Sequence, residues 1–283
     1  MVVGATEFVD NTISQDVFSP PVWSKEVLTA LETKLVFAPR TNRVYEADAK
    51  VGYKVNVPSV GNLAARAKAE NTALSFETIA EAVTAITINK WYYAAFGIED
   101  LVKLQSQVDL RSKYQAKCGY ALAKQIDTDI AALIQSFTPT VGTLGVNLTD
   151  DDFLTALQKL QEADVDMDND IFVVISPNEH KNLMTLDKYT NSLYRDSKPM
   201  ENGKIGNVYG AEWAVSNNLH KPVAGQGDNA VFWREGLALV MQQEPRTQTF
   251  YDLNYLTWKI AADVVYGCGV MRAGAGIYAK GKA

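Results

Sequence analysis

Ser106–Phe137 reads SQVDLRSKYQAKCGYALAKQIDTDIAALIQSF. It holds no proline and a single glycine, Gly119. Ser106, followed three residues later by Asp109, has capping-box spacing, in which a side-chain oxygen meets the orphan N–H groups of a first turn. Leu110, Tyr114, Cys118, Leu122, Ile126 and Ile130 recur every fourth residue, and Leu133, Ile134 and Phe137 continue the apolar set. The pattern predicts one helix about 46 Å long at roughly 1.5 Å per residue, well beyond the three-turn average of globular helices. A four-residue step overshoots a turn by about 40°, so the stripe winds around the helix and its two ends bury different faces. This is a beam across several neighbours. One end is expected against the preceding strand and the β-rich end of the chain, the other against an α/β unit. Gly119, costing about 1 kcal/mol relative to alanine, is the expected place for a bend.

The residues before this helix point to extended structure. Residues 1–19 are polar and aperiodic and read equally as an extended arm or as a frayed terminus. Trp23, Val27, Leu28, Leu31 and Leu35 recur at helical spacing between Pro21 and Pro39, predicting an amphipathic helix. Val51, Tyr53, Val55 and Val57 alternate with polar neighbours as in a strand. The weakly apolar return, NLAARAKAENTALSFETIAEA, completes a two-stranded arm with little core of its own. An isolated hairpin is marginal in water, so the arm is expected to lie on another subunit. Glu81–Phe96 is rich in β-branched and aromatic residues and predicts one long strand, broken by Gly97 and followed by a short helical turn.

After Phe137 the pattern becomes compact. Thr149 and the acidic run Asp150–Asp152 suit a helix N-terminus, and Phe153, Leu157 and Leu160 form the inner face of a helix over residues 150–163. IFVVISP reads as a buried strand, NEHKNLMTL as a short helix and residues 187–203 as a polar excursion. Two short strands flank a turn at Gly210. Residues 137–240 thus alternate helix and strand. LALVMQQ, QTFYDLN, TWKIAADVVYG and GVMRAGAGIYAK are strand-like. No tandem repeat is visible.

Composition narrows the function. Of 283 residues, 47% are hydrophobic and 21% charged, which is ordinary for a globular protein. The formal net charge of −6 argues against a general nucleic-acid-binding surface, though not against a container for nucleic acid. Cys118 and Cys268 make no disulfide framework. The N-terminus lacks the basic region of a secretory signal, and no window approaches the roughly 18 apolar residues of a membrane span. His180 and His220 have no ligand-type spacing with either cysteine. Asp164, Asp166, Asp168 and Asp170 alternate as in a calcium loop, but its sixth position is Asn169 and its twelfth Ile175, so a solvated acidic loop is the better reading. Gly267 and Gly269 lack the third glycine of a dinucleotide fingerprint, since position 272 is arginine. There is no phosphate-loop motif and no nucleophile-elbow motif. No enzyme and no cofactor is expected.

The order of elements, together with several stretches, resembles the major capsid proteins of tailed bacteriophages. IEDLVKLQSQVDLRSKYQAKCGYALAKQIDTDIAALI is similar to the passage into that family's spine helix, with Asp127 closing an Ala-Leu-Ala run. PPVWSKEVLTALETKLVFAPRTNR resembles its N-arm, IGNVYGAEWAVSNNL its axial-domain passage and WKIAADVVYGCGVMRAGAGIYA its closing strands. The resemblance implies an α+β Hong-Kong-97-type capsid fold. It implies an N-arm and helix over residues 1–40, an extended E-loop over 41–80 and a peripheral domain with the spine helix over 81–137. An axial α/β domain over 138–240 would follow, and return strands over 241–283 would include a final axial strand. It further implies hexamers and pentamers of this chain in an icosahedral virion shell around double-stranded DNA, assembled in the host cytoplasm. Portal, scaffolding and possible decoration proteins would be partners, with no membrane involved. Trp23, Tyr53, Val55, Val57, Arg66, Lys68 and Phe76 are the candidate inter-subunit contacts. Lys54 and Lys68 lie in the loop, but neither matches a crosslinking motif. A built-in scaffolding segment is expected to be absent or already removed. Alternatives are an encapsulin-type compartment of the same fold, a tail or decoration subunit, and a soluble enzyme.

Overall fold

The computed structural model describes residues 8–9, 36–60, 65–76, 81–105, 110–167, 170–190 and 203–283, with 66, 69, 75, 204 and 224 excepted. The expected arm helix with Trp23, the Ser106–Asp109 cap, Arg66, Asp168 and Asn169 lie outside the described residues.

In chain order the strands begin with β1 (Phe8–Val9), β2 (Lys54–Val60), β3 (Glu81–Thr87) and β4 (Lys90–Glu99). The helices α1 (Asp100–Gln105) and α2 (Leu110–Ala132) follow, and a 3-10 turn, Leu133–Ser136, extends α2. Next come β5 (Thr140–Gly142), α3 (Asp150–Glu162), β6 (Ile171–Ile175), α4 (Pro177–Leu183) and α5 (Asp187–Thr190). The chain ends with β7 (Asn207–Val208), β8 (Ala211–Val215), β9 (Gly227–Trp233), β10 (Leu237–Asp252), β11 (Thr257–Val270) and β12 (Gly276–Gly281).

The long helix of the sequence reading is α2. It lies over a four-stranded sheet of order β1-β4-β11-β10. Toward its N-terminal end the ring of Tyr114 meets Phe96 of β4, centroids 5.4 Å apart. Further along, Leu122, Ile126 and Ile130 join one core with Ala262, Val264 and Tyr266 of β11. That core also takes Ile134 and Phe137, which pack with Phe172, Phe232 and Tyr278 of a six-stranded sheet of order β5-β12-β9-β6-β8-β7. The expected division of the helix between a β-sheet and an α/β unit is therefore present. Gly119 is exposed, and a Cβ there would meet open space, so close packing does not require glycine at that site.

The strand β6, IFVVI, is buried at every position. Phe172 and Val174 face the core shared with α2, whereas Ile171, Val173 and Ile175 face a second core with Phe153, Ala156 and Leu160 of α3. Burial on both faces removes the alternation that a one-sided strand would show. The helix α3 begins as its sequence predicts. Thr149 Oγ1 accepts from the Asp152 N–H at 3.3 Å, and Asp152 Oδ2 accepts from the Thr149 N–H at 2.8 Å. Tyr209 and Gly210, with φ of 55° and 76°, make the tight turn between β7 and β8.

Three strand readings need correction. Glu81–Phe96 is two strands, divided at Ile88–Asn89: β3 pairs with β2 and β4 with β11. The chain changes sheets where it crosses Gly267, at which a Cβ would lie 2.5 Å from the Thr87 carbonyl oxygen. Gly97 does not break the strand, because β4 continues to Glu99 and Gly97 pairs with both Lys259 and Phe8. Residues 237–252 form one strand through Pro245, with register shifts between Met241 and Arg246. A proline without an N–H is tolerated there because β10 is the outer strand of its sheet.

One buried carboxylate joins the arm to this frame. Asp127 of α2 is fully buried. Its Oδ2 accepts from the Val36 N–H at 2.8 Å, and its Oδ1 accepts from those of Phe37 and Ala38, both at 2.9 Å. Phe37, also fully buried, stacks on Phe232 with centroids 6.0 Å apart. Removing the carboxylate strands three backbone donors, each costing about 1–3 kcal/mol when left unsatisfied. Asp127→Ala is expected to lower subunit stability by about 3 kcal/mol or more in urea unfolding.

A second knot predicts an acid response. Burial raises the pKa of Asp150, but the Lys188 ammonium at 2.7 Å and the Tyr189 and Tyr209 hydroxyls at 2.7 and 2.9 Å outweigh it and hold the carboxyl below its usual value. A carboxyl with a depressed folded-state pKa stabilises above its unfolded pKa, and this contribution is lost as pH falls through the folded value. Asp150→Asn should therefore weaken the subunit at neutral pH and shrink the loss of stability seen below about pH 4.

Candidate inter-subunit surfaces

The hairpin β2–β3 forms its own two-stranded sheet, with Val55 opposite Ile86 and Val57 opposite Thr84. Alternation sends Val55, Val57 and Ile86 to one face. At the base of the hairpin this face is filled from within the subunit. Val55 is only 8% exposed and packs with Ala49, Ile86, Ile88, Ala238 and Val240, and Val57 is half-buried against them. The Ile88 N–H donates to the Tyr53 carbonyl at 2.8 Å, and Gln242 Nε2 donates to the Ala49 and Gly52 carbonyls at 3.0 and 2.8 Å. The expectation of a hairpin without core of its own therefore fails at the base, because Val55 and Ile86 meet strand β10.

It holds further out, where Leu74 is 65% exposed and Phe76 93%, and Lys68 is exposed; at the base itself the Tyr53 side chain is 74% exposed. Val83 is exposed on the opposite face from Val55. Large apolar groups held in water on an extended arm mark a contact surface. Of the sequence candidates, the structure places Tyr53, Lys68 and Phe76 at the solvent and Val55 in the interior.

A second surface was not singled out from sequence. Residues of β4 alternate between the side of the spine helix and the outer face: Ala94 and Phe96 pack inward and Tyr92, itself 37% exposed, lies against Tyr266, while Trp91, Tyr93 and Ala95 face out. On this outer face lies a groove of about 920 Å³ with a floor of Ala95, Gly97 and Ala261, walled by Tyr93 and Phe250. Asp263 orders one end. It takes both Arg246 nitrogens at 2.8 and 3.1 Å and the Trp91 Nε1–H at 3.2 Å, and the Arg246 guanidinium holds its carboxyl below the usual carboxylate range. The legible signal was the odd-position set Trp91, Tyr93 and Ala95 within a strand whose even positions are apolar as well. No helix among the described residues is long and apolar enough to cross a membrane.

A family model described as phage capsid protein matches residues 41–278. The chain belongs to that family. No curated relative matches it in sequence. Among solved structures it is similar to one from Mycobacterium phage Che8, at 24% identity and a TM-score of 0.78, over 92% of this chain and 96% of that one. The capsid structure of the Cyanophage P-SCSP1u matches at 19% identity and a TM-score of 0.75, over 94% of both chains. The capsid of Ralstonia phage GP4 matches at 12% identity and a TM-score of 0.70, over 100% of this chain and 98% of that one. The fold is thus the Hong-Kong-97-type capsid fold, with α2 as its spine helix, and the chain is a structural protein of a phage capsid. Family membership favours this over an encapsulin-type compartment.

The division of the hairpin into a buried base and an exposed outer part has a measurable consequence. Val55→Ala is expected to destabilise the isolated subunit by about 1–3 kcal/mol, the cost of emptying a core position. Phe76→Ala and Tyr53→Ala should stay within about 0.5 kcal/mol, as surface substitutions do. Urea unfolding of the three variants compares them directly.

Proposed function

We propose that this major capsid protein assembles as hexamers and pentamers into an icosahedral shell enclosing double-stranded DNA, with its hairpin arm laid on the neighbouring subunit. The observation that carries the arm's role is Phe76, 93% exposed on a segment whose described neighbours are exposed as well. Such a residue gains about 25 cal/mol for each Å² of apolar surface that a neighbour covers. Tyr53, Leu74 and Phe76 are the apolar contacts, and Lys68 is exposed as well. Symmetry multiplies modest contacts of this kind into a durable closed object. Val55 stays inside the subunit as the footing of the arm.

In this reading β4, β10, β11 and the spine helix form the peripheral domain, and the six-stranded sheet with α3 and α4 forms the axial domain. The final strand β12 returns to the axial sheet between β5 and β9. The N-arm begins before Val36 and is clamped at Asp127. Portal and scaffolding proteins are the partners that shell assembly around a genome calls for, and the site of assembly is the host cytoplasm.

The double variant Leu74→Asp/Phe76→Asp tests the arm. It should keep the circular dichroism and urea midpoint of the wild-type subunit while forming no shells in electron micrographs. Shells of normal yield and heat resistance would remove the arm from the assembly contacts.

A further inference from the structure

We propose that the outer edge of β4 over Lys90–Phe96 is a strand-pairing site, and that its occupant is the N-terminal segment of the same chain, residues 1–7. The inference concerns the single subunit and does not depend on the shell reading above.

The two edges of the four-stranded sheet are built differently. Strand β10 forms one edge and carries the devices that keep an edge from pairing with another chain. Pro245 removes a donor, register shifts between Met241 and Arg246 interrupt the ladder, and Glu244 and Arg246 add exposed charge. Strand β4 has none of these. It contains no proline and keeps unbroken register with β11 from Lys90 to Glu99. Lys90 is its one cation, and that ammonium is held by Asp129 at 3.0 Å. Trp91, Tyr92 and Tyr93 follow, all exposed. About half of the N–H and C=O groups of β4 point away from β11. Over Lys90–Phe96 that leaves roughly 23 Å of ladder, at about 3.3 Å per residue. A long, flat, aromatic edge left bare is a template for aggregation, so it calls for a built-in cover.

One end of the edge already has its cover. Strand β1 pairs with β4 in parallel, Phe8 opposite Gly97 and Val9 opposite Ile98. Gly97 and Ile98 are buried there, whereas Trp91, Tyr92, Tyr93 and Ala95 are exposed. Among the described residues no other strand pairs with this edge. Carried back in the same register, the chain before Phe8 sets Met1 opposite Lys90 and Glu7 opposite Phe96. The proposed pairing therefore continues a contact that the subunit itself makes.

The segment, MVVGATE, has the composition for that place. Val2, Val3 and Thr6 are β-branched, and no proline interrupts them. Side chains of register partners share a face of the sheet. Gly4 thus falls beside Tyr93 as Phe8 falls beside Gly97, a ring next to a glycine in both cases. Val3 and Ala5 fall beside Tyr92 and Ala94 on the helix side. Glu7 is the one charged residue of the segment, and on an outermost strand its carboxylate can turn to water.

A cysteine pair tests the register in the unassembled subunit. Partners on neighbouring strands lie about 4.8 Å apart, within reach of a disulfide. Under mild oxidation Thr6→Cys/Ala95→Cys should close a bond within one chain. A faster-migrating monomer on a non-reducing gel and one crosslinked peptide pair in mass spectrometry report it, apart from peptides carrying Cys118 or Cys268. The off-register pair Thr6→Cys/Tyr93→Cys should crosslink several-fold less. Equal yields from the two pairs would overturn the proposal. So would bonds formed only between chains, which would give the edge to a second copy. Hydrogen exchange supplies an independent readout. Amides of residues 91–96 should exchange several-fold faster once residues 1–7 are deleted, with β11 unchanged, and equal exchange would count against the pairing. If the truncated subunit aggregates, Val3→Pro in the full chain takes its place, with the same expected and overturning results. Neither readout requires shells, so failure here leaves the shell reading standing.

Discussion

The rest of the subunit depends on a carboxylate set near the C-terminal end of the spine helix. Asp127 spends both oxygens on the N–H groups of Val36, Phe37 and Ala38. This fixes where the arm enters. Phe37 then goes between the spine helix and Phe232, and Asn42 hydrogen-bonds to the backbone of β10 through Leu237 and Leu239. One side chain thereby brings the arm, the helix and both large sheets into a common register. A neutral residue of the same size could fill the space but could not accept three donors with the strength that a charged acceptor gives.

The two cores that this clamp serves are not separate. Strands β6 and β9 belong to both. Phe172 and Phe232 point toward α2, and Val173 and Val231 point toward α3. A sheet covered on both sides is stiff because side chains on either face leave few voids. The polar groups within this region are paired accordingly. Asp228 is fully buried and takes Gln135, His220 and Tyr278 at 2.7, 2.8 and 2.6 Å. Glu179, also fully buried, accepts from the N–H groups of Leu148 and Lys282 and so holds the end of the chain against α4. Burial raises the Glu179 pKa more than those two donors lower it.

Local pattern made much of this legible. The four-residue stripe of α2, the continuous apolar run of β6, the Thr149 cap and the Tyr209–Gly210 turn are each determined by residues near one another in sequence. The misreadings were long-range. Nothing within Glu81–Phe96 marks the change of sheets, because its cause is Gly267, far along the chain. The continuation of β10 through Pro245 depends on its place at the sheet edge, which topology alone supplies. The hairpin read as coreless because Ala238 and Val240, which seat it, come from another strand. The part Asp127 plays was hidden for the same reason: a lone aspartate near a helix end looks like a surface charge until its three donors arrive from the arm. The outer aromatic face of β4 went unnoticed because both faces of that strand are apolar.

The footing of the hairpin has a mechanical meaning. Six buried residues hold it: Ala49, Val55, Ile86, Ile88, Ala238 and Val240. The arm beyond them is a cantilever, anchored at one end on a small patch and attached through β10 to a sheet backed by the spine helix. A load applied at Phe76 acts through the whole length of the arm, so bending concentrates at the footing while that sheet keeps its shape. A pivot about Val55 and Ile86 would change the reach and pitch of the arm without repacking either large core, because these residues form a cluster of their own. A closed surface of varying curvature asks this of identical pieces.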